Sequence, residues 1–263
     1  MGLAQNLLYR KHIMSTAYNS HSNNQHKLPG SLILHILPGL LVTVGFLLFK
    51  PLLESSGYPP LLAFLLAVVL LDLPFMLGLM FYLGGKLNGR LSLRGMVLYR
   101  EKVNWKTFIL VFLGAFIILY LLIMLSAPLN TLLAQSLFSW LPDWFYLDDP
   151  LIYQDYSKNV LLIVFSLHLL ITGIILPWVE ELYFRGFLLP RISRYKGWAP
   201  LIGGLMFGLY HSWQLYGFVV VFLLGAGLGY VVWWKKDIRL SISLHIFANA
   251  LIRLFLLIGI LSI

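Results

Sequence analysis

The 263-residue chain contains no cysteine, and only 11% of its residues are Asp, Glu, Lys or Arg. Without thiols there is no disulfide framework, no Cys-ligated zinc, no iron–sulfur cluster and no Cys nucleophile. A soluble domain carries about a quarter of its residues as charged side chains, so the low charge excludes a soluble enzyme and a disordered chain. Acids are the scarcer sign, ten against nineteen bases. The resulting net charge of +9 would suit a nucleic-acid surface, but the placement of the bases argues otherwise. What the chain has in abundance is apolar residues, 60% of the total. They come in blocks of about twenty, long enough to cross a hydrocarbon core of about 30 Å.

Apolar runs at residues 31–49, 61–83, 107–127, 159–177, 199–213, 218–234 and 238–263 predict spanning helices, because a segment in lipid must satisfy its own backbone hydrogen bonds. The shorter run 130–140 ends in Trp140 and reads as an interfacial helix. Residues 180–194 mix apolar positions with Glu180, Glu181, Arg185, Arg191 and Arg194 and read as a further helix that enters the membrane only partly. The expected fold is therefore all-α, a polytopic membrane helix bundle with seven or eight transmembrane helices. A polar tail at 1–30 precedes a single membrane domain at 31–263. Most of the bases fall in the tail and in the 84–106, 185–196 and 235–239 segments, while Glu54, Asp143, Asp148, Asp149 and Asp155 fall on the other side. Basic loops stay in the cytoplasm, so the reading is an integral, multi-pass protein with a cytoplasmic N-terminus. Its partners are membrane lipid and a membrane-associated substrate, and no nucleic acid.

Ionisable groups at membrane depth cost about 2.5–3.5 kcal/mol each on the insertion scale, so each requires a reason. Three pairs share the four-residue interval that puts both members on one helix face: Glu181 with Arg185, Phe207 with His211, and His245 with Asn249. Arg185 can neutralise one of two adjacent carboxylates but not both, which leaves Glu180 suited to be a general base. His245 and Asn249 are suitable donors to a developing oxyanion. Gly203, Gly204 and Gly208 would let the helix of His211 approach its neighbours closely. Arg253 continues the stripe of His245, and Asp72 is its expected partner. His35 and His168 have no companions in sequence and read as core or interfacial residues.

Glu-Glu-x-x-x-Arg, Phe-x-x-x-His and His-x-x-x-Asn, in that order on membrane helices, resemble the CPBP family, the CaaX-protease and bacteriocin-processing (Abi) intramembrane proteases. The resemblance covers about residues 159–263. It implies catalytic roles for Glu180 and His211 in activating water, with His245 and Asn249 stabilising the oxyanion. Glu181, Arg185 and Phe207 would support them. The implied activity is an endopeptidase of a bacterial cell membrane, and the placement of Glu180 beside the basic loops suggests a site open to, and acting near, the cytoplasmic face. Zinc on Glu180, His211 and His245 is the alternative to a metal-free glutamate mechanism, which the presence of Asn249 favours. A non-catalytic immunity or scaffold protein and a transporter are the rival readings.

Overall fold

The computed structural model describes residues 25–261, so most of the expected polar tail lies outside the described residues. The last six residues of that tail are ordered. Helix α1, Leu28–Glu54, begins before residue 31, and the side-chain amide of Gln25 donates to the Pro190 carbonyl at 3.0 Å. Helix α2 spans Pro60–Asn88 and α3 spans Trp105–Ser136. A loop with two short 3₁₀ turns, Asp143–Phe145 and Pro150–Tyr153, follows. Helix α4 covers residues 158–188, α5 Ala199–Tyr210, α6 Phe218–Lys235 and α7 Ile238–Leu261. No strand forms among the described residues, only an isolated bridge between Arg100 and Asp237.

Among the described residues six helices are long and apolar enough to cross a membrane. The expected seven or eight counted the 158–210 region as separate segments, and its 53 residues are helical on both sides of a break. The stretch breaks at Lys196, where φ is 51° and ψ −127°, and α5 starts three residues later. The expected interfacial helix at 130–140 is also absent as a separate element. Its first half continues α3 through Pro128 to Ser136.

Among the described residues three π-helical stretches interrupt the bundle, Val68–Asp72, Ile171–Ile175 and Glu181–Leu188. Each is followed two residues later by proline, at Pro74, Pro177 and Pro190. A proline cannot donate to the carbonyl four residues back and its ring clashes with it, and widening the preceding turn relieves both. Proline alone is not sufficient, since Pro38 and Pro128 sit in helices that stay α. All three stretches carry buried polar residues: Asp72, Thr172, and Glu181 with Arg185.

Close packing comes from glycine. A Cβ on Gly204 would lie 2.5 Å from the backbone nitrogen of Ala226, and one on Gly39 would lie 1.7 Å from the Tyr210 carbonyl oxygen. Glycine is therefore required where α5 meets α6 and α1. The basic segments gather at one end of the bundle. There Leu98 N–H donates to the Gly186 carbonyl at 2.8 Å and Glu101 N–H to that of Lys236 at 2.9 Å. The acidic loop closes the opposite end, where Trp144 and Phe145 pack on Phe46 and Tyr146 packs on Tyr216.

Candidate active site

Glu181 forms the base of the site. Completely buried, it pairs with Arg185 at 2.9 Å, one turn along the same helix. Arg185 also donates to the Gly225 carbonyl of α6 at 3.0 Å, and its guanidinium lies 4.1 Å from the centroid of the Phe207 ring. Glu181 additionally accepts from Nδ1 of His245 at 2.8 Å. It thus ties α4 to α7 and fixes the orientation of the imidazole, as carboxylates do for catalytic histidines. The sequence reading paired Arg185 with Glu181, as found, but had no signal for the bond from His245.

Glu180 points elsewhere. Its Oε2 stands 3.7 Å from Nε2 of His245, too long for a direct hydrogen bond. Its Oε1 is buried with no hydrogen-bond partner. The Tyr210 hydroxyl, which donates to Asp72, also engages the Glu180 carboxylate, but a carboxylate 98% buried with one oxygen unpartnered is held out of water at a cost that a purely structural residue has no reason to bear.

Helix α5 delivers His211. Its Nδ1 lies 2.9 Å from the Phe207 carbonyl oxygen, and since that oxygen can only accept, Nδ1 carries the hydrogen and Nε2 keeps its lone pair. Phe207 also packs edge-on to His211, with centroids 4.6 Å apart, and to His245 at 6.1 Å. The Phe-to-His interval, uninformative as sequence, thus has a physical reason in this carbonyl and this ring.

Glu180, Phe207, His211, His245 and Asn249 line one cavity of about 470 Å³. The structure therefore brings the four expected catalytic side chains together, with Glu181 and Arg185 beneath them. The cavity extends away from the basic loops. Its remaining walls come from the end of α3 (Asn130, Thr131), the acidic loop (Leu147, Asp148) and the turn after α5 (Gln214, Tyr216). The expectation of a site open toward the basic loops is corrected on this point. The catalytic groups lie toward that end, but they form the floor of a cavity that leads to the other.

Two further expectations change. Asp72 does not pair with Arg253. It is fully buried and accepts from the Tyr210 hydroxyl at 2.6 Å, while Arg253 reaches the loop and pairs with Asp148 at 2.8 Å. His35 is a satisfied core residue, its Nδ1 donating to the Ser31 carbonyl at 2.7 Å. His168 is not, since it lines the cavity and its buried Nδ1 has no partner. Neither the Asp72–Tyr210 bond nor the place of His168 could be found by spacing, because each depends on which helices are neighbours.

Among the described residues no group of three or more His, Cys, Asp or Glu is arranged to hold a metal ion. The nearest candidates are already committed on one side, His211 to Phe207 and His245 to Glu181.

Residues 162–251 match the family described as Rce1-like type II CAAX prenyl endopeptidases. The matched segment is about a third of the chain. It contains Glu180, Glu181, Arg185, Phe207, His211, His245 and Asn249, and leaves α1, α2 and α3 outside it. No curated protein and no solved structure matches the chain. This similarity supports an intramembrane protease of the CAAX-protease type in a multi-pass helical membrane protein.

Proposed function

We propose that this protein is an intramembrane endopeptidase in which Glu180 activates water at the floor of the cavity, without a metal. The carrying observation is a buried carboxylate with one unpartnered oxygen that shares a cavity with two imidazoles and an Asn amide. In this reading the water loses a proton to Glu180, with Nε2 of His211 as the second acceptor. Its oxygen adds to the scissile carbonyl. The negative charge that forms on the carbonyl oxygen is met by the Asn249 amide, beside the His245 ring whose Nδ1–H is committed to Glu181. Collapse breaks the C–N bond, and the proton held by Glu180 passes to the leaving amine. The 3.7 Å gap between Glu180 and His245 is wide enough for one reacting oxygen to touch both groups. Zinc on Glu180, His211 and His245 is the competing form of the same site.

The floor is closed by the buried Glu181–Arg185 pair, which favours a dead-end reaction chamber over a transport path. With the basic loops in the cytoplasm, as their charge favours, the mouth faces the opposite side of the membrane. The substrate is a membrane-associated peptide or protein that reaches the cavity from there. The test compares the membrane proteomes of cells carrying wild type and Glu180→Gln. Shortened proteins present only with wild type are the expected result, and identical proteomes would overturn the proposal. Proteolysis that is abolished by chelation and restored by zinc would overturn the metal-free form.

A further inference from the structure

Behind the cavity wall lies a polar pair that the proposed chemistry does not use. Asp72 ends the π-helical stretch of α2, and Tyr210 ends α5. Both are fully buried, and neither lines the cavity. The Tyr210 hydroxyl donates to Oδ2 of Asp72 at 2.6 Å and also engages the Glu180 carboxylate. Phe184 and Trp213 pack on the Tyr210 ring, with centroids 4.8 and 5.2 Å away. Gly39 admits the Tyr210 carbonyl where any Cβ would collide with it. The ring is thus fixed, and only the hydroxyl hydrogen is free to turn. Asp72 decides which way it turns, and so how the oxygen meets Glu180.

A bond between α2 and α5 can serve the fold alone. A structural acceptor needs no carboxyl group, however, since an amide or a hydroxyl takes the same hydrogen at a lower burial cost. The second oxygen of Asp72 is buried without a partner, so the fold makes no use of it. A hydroxyl that donates to a carboxyl group is also polarised, which strengthens its other contact. We propose that Asp72 and Tyr210 are positioning residues for Glu180. Tyr210 holds the Glu180 carboxylate at the cavity from behind, with Oε1 left unpartnered, and Asp72 fixes Tyr210. This rests on the peptidase reading and deepens it. It also gives α2, which lies outside the matched segment 162–251, a part in the site.

The test uses the full-length protein in liposomes, with the membrane protein found shortened only in wild-type cells as substrate. Tyr210→Phe should lower kcat about ten- to a hundredfold, the loss typical when a partner that orients a reacting group is removed, and leave KM unchanged. Asp72→Asn, which keeps a neutral acceptor, should lower kcat less. It should add nothing in a Tyr210→Phe background, because Asp72 acts only through Tyr210. Thr43→Val is the control. Thr43 shares a 2.7 Å hydrogen bond with Ser212, just past α5, so the variant breaks a bond at the same helix end but none of Glu180's. Its kcat should stay at the wild-type value. Asp72→Asn at the wild-type kcat, additive losses, or an equal loss in Thr43→Val would overturn the proposal.

Infrared spectroscopy supplies a second arm that needs no cleavage. The Glu180 carboxyl bands, defined as the difference between wild type and Glu180→Gln, should shift in Tyr210→Phe and in Asp72→Asn but not in Thr43→Val. Where Tyr210→Phe does not fold, Asp72→Asn carries both arms. Unshifted bands would overturn the positioning role. Shifted bands in a protein that cleaves nothing would overturn the peptidase reading and leave the hold on Glu180 standing.

Discussion

Helices α3 and α4 are both long and apolar, yet they occupy opposite situations. In the most apolar stretch of α3 only 6% of the residues are buried within the protein, against 44% in the corresponding stretch of the 158–210 run. Lipid is as apolar as leucine, so hydrophobicity does not sort membrane helices between centre and rim. What differs is the polar cargo. Helix α4 carries His168, Thr172, Glu180, Glu181 and Arg185, all buried, while the exposed stretch of α3 carries Ile117, Ile118, Leu121 and Leu125. Ionisable groups must find partners on neighbouring helices, and that requirement pulls their helix to the centre.

The largest test of this contrast removes a partner at the centre. Arg185→Leu leaves Glu181 buried without its cation, and breaking such a pair costs about 3–5 kcal/mol. Unfolding in detergent should show a loss of that order, and a change below 1 kcal/mol would break the comparison. Smaller, and purely steric, is Gly204→Ala. Its Cβ would lie 2.5 Å from the Ala226 backbone, so α5 and α6 must separate at a cost of about 1–3 kcal/mol. At the rim, a Cβ on Gly114 of α3 meets nothing within 4 Å. Gly114→Ala should then leave stability unchanged or raise it by about 0.4–1 kcal/mol through the unfolded chain. Equal losses from the two glycine variants would show that α3 is packed as tightly as α5.

The smallest effect belongs to the basic end, outside the spans. Burial pushes the Asp237 carboxyl up, but bonds from Arg239 and from the Val103 N–H at 3.0 Å outweigh it and leave it below its usual range. A carboxylate lowered by folding adds stability above its ordinary range, and that stability is lost as pH falls through the folded value. Hydrogen exchange at Val103 should therefore speed up on acidification below about pH 4, the ordinary carboxylate range, and the dependence should vanish in Asp237→Asn.

Much of this was legible before any coordinates. The apolar runs gave the bundle, and the four-residue intervals gave Glu181, Arg185, Phe207, His211, His245 and Asn249, because one helical turn is a property of the local chain; Glu180 followed as the carboxylate that Arg185 leaves over. Partner choice between helices is not local. Asp72 and Arg253 were a reasonable pair by charge, yet Tyr210 stands beside Asp72 and the 141–157 loop brings Asp148 to Arg253. That loop has no periodic pattern to read, so neither its ion pair nor the direction in which the cavity opens could be seen. The break at Lys196 was equally hidden, since no proline or glycine occupies the position whose φ is 51°.

The central claim is that Glu180 is the base. It is tested most directly with purified protein in liposomes and a substrate identified from the proteome, measuring cleavage by wild type and by Glu180→Gln with and without a zinc chelator. The account predicts cleavage by wild type that chelation does not change, and a loss of at least about a hundredfold in Glu180→Gln, the usual contribution of a general base. Cleavage by Glu180→Gln at the wild-type rate would contradict it.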